Sequence, residues 1–109
     1  MVRDFSPRML DMIAGRFKLL AEPTRLHILN ALREAELTVT ELVERTGAGQ
    51  ANVSKHLNLL HRNGMVDRRK DGLHVYYRIS DPGVFELCEL MCSSLEADLE
   101  ERRKALGVS

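Results

Sequence analysis

GQANVSKHLNLLHRNGMVDRRKDGLHVYYRI, from Gly49 to Ile79, is the stretch that decides how this chain folds. Val53, Leu57 and Leu60 recur at helical spacing, which predicts a helix over Gln50–Asn63 with those three side chains facing inward. Gly64 follows as a left-handed helix stop. Two strands come next, Met65–Arg69 and Leu73–Ile79, joined by Lys70-Asp71-Gly72, in which Asp-Gly signals a tight turn. A polar-faced helix followed at once by a hairpin with cations near its tip is the plan of a winged helix-turn-helix. In that plan the helix enters the major groove and the wing reaches phosphates or the minor groove. DNA binding is the leading expectation.

Upstream, Ser6-Pro7 reads as a cap followed by proline at the first helical position. It opens a helix over Arg8–Ala21 with Leu10, Ile13, Phe17 and Leu20 on one stripe. Pro23 opens a second helix, with Leu26, Leu29 and Leu32 toward the core. Leu37–Val39 is short and extended, and Thr40 is the expected cap of a third helix, Glu41–Arg45, ending at Thr46-Gly47. Downstream, Asp81 caps a last helix with Pro82 at its first position, running to about Leu106. Its apolar series, Val84, Leu87, Met91, Leu95 and Leu99, is longer than one small domain covers. The expected architecture is mainly α with a small β-hairpin: one winged-helix domain over residues 1–109, forming a homodimer through its first and last helices.

The chain carries 16 basic and 16 acidic residues, so the distribution of charge matters more than its sum. Residues 50–80 hold six cations against two acids, whereas residues 81–109 hold three cations against seven acids. A basic middle concentrates phosphate contacts, and the acidic end is expected to face away from DNA. The first residues lack a signal-peptide pattern and no apolar run approaches a membrane span, so a cytoplasmic protein is expected. Gln50, Asn52, Ser54, Lys55 and His56 occupy the first turns of the helix, where a recognition helix meets base edges. Glutamine and asparagine pair bidentately with adenine, and lysine reaches guanine or phosphate. Arg68, Arg69 and Lys70 are expected to contact phosphates from the wing, with His74 in support. One of Tyr76 and Tyr77 is expected to pack inward, since they alternate across a strand. An enzyme is not expected: there is no Cys-x-x-Cys, no nucleophile with a recognisable base and no phosphate-binding glycine loop.

Leu20-Ala-Glu-Pro-Thr-Arg-Leu-His-Ile-Leu29 resembles the second-helix signature of the ArsR/SmtB metalloregulators. Gln50-Ala-Asn-Val-Ser-Lys-His-Leu57, with Leu60 and Gly64, is similar to that family's recognition helix. The resemblance spans roughly residues 10–100 and implies a dimeric winged-helix repressor that leaves its double-stranded operator when an inducer binds. Two of the family's inducer sites do not carry over. Thr38 and Thr40 stand where the arsenic-sensing box has cysteines. Of the zinc-type ligands on the last helix only Asp81 matches, with Gly83, Ser94 and Ala97 at the other positions.

Cys88 and Cys92 remain. Four apart on one helix, they do not readily bond to each other, yet they share a face with Cβ atoms about 6 Å apart. Pairing of last helices across a two-fold axis would gather four thiols, which suits As(III), Sb(III) or another soft metal ion as inducer. The same thiols also suit an oxidant or polysulfide signal, and equally suit plain packing, as small residues on an apolar stripe. A further alternative is control by a partner protein with no thiol inducer at all.

Overall fold

In a computed structural model describing residues 3–107, seven elements follow one another. They are α1 (Pro7–Leu20), α2 (Pro23–Ala31), α3 (Val39–Thr46), α4 (Gln50–Arg62), β1 (Val66–Asp71), β2 (His74–Ile79) and α5 (Gly83–Ala105). Local chemistry starts most of them. Ser6 Oγ accepts the Met9 amide at 3.2 Å ahead of α1, and the Glu22 carboxylate accepts the Arg25 amide at 3.0 Å at the head of α2. The last helix starts one residue later than expected: α5 begins at Gly83 with Pro82 at the cap position, and Asp81 Oδ1 accepts the Gly83 amide at 3.0 Å in the turn ahead of it. The start of α3 differs from expectation: Thr38, not Thr40, is the cap. Thr38 Oγ1 accepts the Glu41 amide at 3.2 Å while the Glu41 carboxylate accepts the Thr38 amide at 3.0 Å. This reciprocal pair needs a Thr-x-x-Glu spacing, which only Thr38 offers.

The core lies where α2, α3 and α4 meet the base of the hairpin. Ile28, Leu29, Leu42, Val53, Leu57, Leu60, Met65 and Val66 are essentially inaccessible there. Leu26 was expected inside and is instead exposed, because Ile28 takes the inward position on α2 and turns Leu26 out. The two strands pair antiparallel, from Val66 opposite Ile79 to Asp71 opposite His74. The ladder therefore extends past the expected loop, and the turn is the two residues Gly72-Leu73. Gly72 has φ +62° while no described non-glycine residue has positive φ, which is the type II′ hairpin pattern. Leu37 adds a bridge on the outer side of β2, exchanging backbone hydrogen bonds with Tyr77 at 3.1 and 2.8 Å. Of the two tyrosines, Tyr77 is the one that packs inward.

α1 and α5 stand apart from this core. Only Leu19 of α1 is buried; Leu10 and Phe17, on its expected apolar stripe, are 50% and 53% exposed. On α5 Val84 alone is buried, and Met91, Leu95 and Leu99 lie open beyond it. Among the described residues no helix is long and apolar enough to cross a membrane.

Candidate nucleic-acid interface and thiol site

The core contacts of α4 fix which of its side chains look outward. With Val53, Leu57 and Leu60 buried, about 3.6 residues per turn put Ala51, Lys55, Asn58 and Arg62 on the opposite side, and all four are exposed. Lys55, Asn58, His61 and Arg62, with Arg68 from β1, line an open cleft of about 600 Å³. Three of those five side chains are cations and none is an acid, a composition that attracts a phosphate backbone.

The expected contact residues distribute around this face unequally. Gln50, Asn52 and Lys55 are exposed, and Ser54 is half-buried. His56 is not on the face: it is 7% exposed and turned toward α2, where Arg25 Nη1 lies 3.2 Å from its Nδ1. The expectation for His56 came from its place in the first turns, whereas its angle around the helix carries it to the α2 side. Asn58 and Arg62 were missed for the same reason. The signal that finds them is the i, i+3, i+7 series Lys55, Asn58, Arg62, lying opposite the buried leucines.

The wing sorts its cations by strand alternation. Arg68 pairs with Tyr77 across the hairpin and shares the face turned toward α4. Arg69 pairs with Tyr76 on the other face, its guanidinium 4.9 Å from the Tyr76 ring centroid. It also forms ion pairs with Glu36 at 2.8 Å and Asp71 at 3.5 Å. The hydrogen bond from Arg69 holds the Glu36 carboxyl below its usual range. Arg69 thus ties the wing to the segment leading into Leu37, and is already engaged where a free phosphate-binding cation was expected. Lys70 and His74 are exposed next to the tip, and Leu73 at the tip is fully exposed.

Cys88 and Cys92 are both free and exposed. Cys92 Sγ donates to Glu96 Oε1 at 3.2 Å, and this hydrogen bond to a carboxylate raises the Cys92 thiol above its ordinary value. Among the described residues no group of three or more His, Cys, Asp or Glu side chains is placed to hold a metal ion. A three-sulfur site therefore needs thiols from a second chain.

Comparison with known proteins decides the family. A family model described as the bacterial regulatory protein, arsR family, matches residues 22–68. A probable mercury resistance operon repressor from Streptomyces lividans is 40% identical over 88 residues, covering 81% of this chain and 70% of that one. The chain belongs to the arsR family. Solved structures agree in fold. The homodimeric winged helix-turn-helix DNA-binding domain of Mb0332 from Mycobacterium bovis superposes with TM-score 0.74 at 32% identity, covering 92% of this chain and 95% of that one. The AntR antimony-specific transcriptional repressor gives TM-score 0.76 at 34% identity, covering 89% and 90%. The ArsR-family chain described here is a DNA-binding transcriptional regulator with a winged helix-turn-helix, not an enzyme.

Proposed function

We propose that this regulator is a homodimeric repressor, acting in the cytoplasm, which holds operator DNA with the outward face of α4 and the wing and releases it when a thiophilic ion binds Cys88 and Cys92. The outward line Lys55, Asn58, Arg62, with Arg68 across the cleft, carries the DNA half of the reading. Lys55 and Asn58 reach base edges while Arg62 and Arg68 meet phosphates, with Gln50, Asn52, Lys70 and His74 at the margins. Dimerisation is supported by the uncovered apolar stripes of α1 and α5 and by the homodimeric state of Mb0332. Two recognition helices then meet half-sites about a helical turn apart.

The inducer half rests on two accessible thiols one turn apart on α5. The antimony specificity of AntR supports a metalloid. Arsenious acid condenses with thiols: three As–OH bonds give way to three As–S bonds, and the three thiol protons leave with the three hydroxyls as water. Two sulfurs from one protomer and one from its partner complete that set, and bridging the subunits alters the angle at which the two α4 helices meet DNA.

Binding to a labelled duplex from the protein's own upstream region, at fixed salt under reducing conditions, tests both halves. Tight binding abolished by arsenite, and insensitive to it in the double variant Cys88→Ser, Cys92→Ser, is expected. Induction that survives the double variant removes the thiol site and leaves the DNA reading standing.

A further inference from the structure

The joint between α1, α2 and α4 holds a polar cluster outside the DNA face. Arg25 on α2 points its guanidinium three ways. Nε donates to the Leu19 carbonyl and Nη2 to the Lys18 carbonyl at 3.5 Å, both in the last turn of α1, while Nη1 meets His56 Nδ1 at 3.2 Å. A guanidinium has only donors, so Nδ1 of His56 must be the accepting nitrogen and the proton sits on Nε2. Nε2 in turn faces Glu22 Oε2 at 3.6 Å, and that same oxygen accepts the Arg25 amide at 3.0 Å. His56 is therefore a buried ring hydrogen-bonded at Nδ1 to Arg25, with the Glu22 carboxylate beside Nε2 but beyond hydrogen-bond distance, on a helix whose other inward contacts, Val53, Leu57 and Leu60, are apolar.

Apolar packing is non-directional, whereas a hydrogen bond between fixed groups adds a directional restraint on how far a helix can turn about its axis. A turn of about 20° swings a side chain on a helix roughly 5–6 Å in radius by about 2 Å, enough to lose a base-edge contact. We propose that His56 is a positioning residue: held at Nδ1 by Arg25, which is itself bonded to the last turn of α1, it sets the rotation of α4 relative to that turn, and so aims Lys55, Asn58 and Arg62. The proposal rests on the DNA reading above. It assigns the Leu-Ala-Glu-Pro-Thr-Arg stretch at Leu20–Arg25 a mechanical role, linking the last turn of α1 to the helix that faces DNA.

His56→Phe keeps ring volume and removes the acceptor, Arg25→Met removes the donor, and His56→Asn restores an acceptor near the position of Nδ1. Each is measured for melting temperature, for affinity to a duplex that the unmodified protein selects from a randomised pool, and for affinity to an unrelated duplex. His56→Phe and Arg25→Met are expected to lose on the order of ten-fold in affinity for the selected duplex while keeping their affinity for the unrelated one, and His56→Asn to recover most of the loss. Unchanged discrimination in His56→Phe overturns the proposal. So does a loss that tracks melting temperature and is not recovered by asparagine. Long-range ¹⁵N correlation of the ring judges the clamp without DNA: an unprotonated Nδ1 is expected, and a proton on Nδ1 overturns it. A pool that yields no duplex sinks the DNA reading and this proposal with it.

Discussion

Lys55 and Arg62 lie seven residues apart on the same outward face of α4, yet the same truncation is expected to act differently at the two positions. Lys55→Ala removes a base-edge contact, costing about 1–3 kcal/mol on the preferred duplex and less on others. Arg62→Ala, like Arg68→Ala, removes a phosphate contact. It is expected to weaken all duplexes alike and to lower the slope of log affinity against log salt by about 0.9; affinity measured across a salt series separates the two behaviours. Arg69→Ala should change that slope little, since Glu36 and Asp71 already neutralise its charge. At the thiols, the Glu96 carboxylate raises Cys92, so Glu96→Gln is expected to lower its pKa and speed alkylation at neutral pH. Mass-resolved iodoacetamide labelling of Cys92 as a function of pH checks this; an unchanged profile would refute the role of Glu96.

Helix starts and the hairpin turn are short-range devices, and most were legible in the residues themselves. Ser6-Pro7, Pro23 and Gly64 each act within about four residues, so spacing alone exposes them. The α3 start was misplaced because two threonines, Thr38 and Thr40, compete, and only the reciprocal bonds with Glu41 choose between them. Thr38→Ala is expected to cost about 1 kcal/mol, read as a fall in melting temperature, with Thr40→Ala nearly silent. The Glu41 carboxyl is lowered by hydrogen bonds from the Thr38 backbone and side chain, and the Glu36 carboxyl by Arg69. Depressed carboxyls stabilise the fold above their ordinary value of 4.5 and lose that contribution as pH falls through their lower folded values. Thermal unfolding followed from pH 7 downward should therefore show stability falling below about pH 4.5. Glu36→Gln is expected to flatten part of that fall.

The molecule is elongated, 57 × 41 × 21 Å with a radius of gyration of 17.3 Å, against about 13 Å for a compact chain of this length. The 23-residue α5 is responsible: it is packed through its first turn, after which its apolar stripe runs out uncovered. Covering that stripe with a second copy explains why a domain this small keeps so many exposed leucines and methionines. Met91→Glu with Leu95→Glu is expected to give a monomer by sedimentation and to lose most operator affinity, since one recognition helix meets one half-site. A variant that stays dimeric would place the interface elsewhere. In the core, Leu57→Ala opens a cavity among Leu42, Val53 and Leu60. It should cost about 2–5 kcal/mol in denaturant unfolding.

Periodicity, caps and turn residues were sufficient for the order of elements, the winged-helix plan, the basic middle and the α4–wing candidate interface, because each depends on residues close in the chain or on a regular repeat. Which way individual side chains turned was decided by packing between distant elements. His56 went inward to meet Arg25, and Arg69 was captured by Glu36 thirty-three residues away, whereas the line Lys55, Asn58 and Arg62 already lay in the helical spacing opposite Val53, Leu57 and Leu60. A side chain's partners across the fold are set by the tertiary arrangement of helices and strands, and no local pattern encodes them.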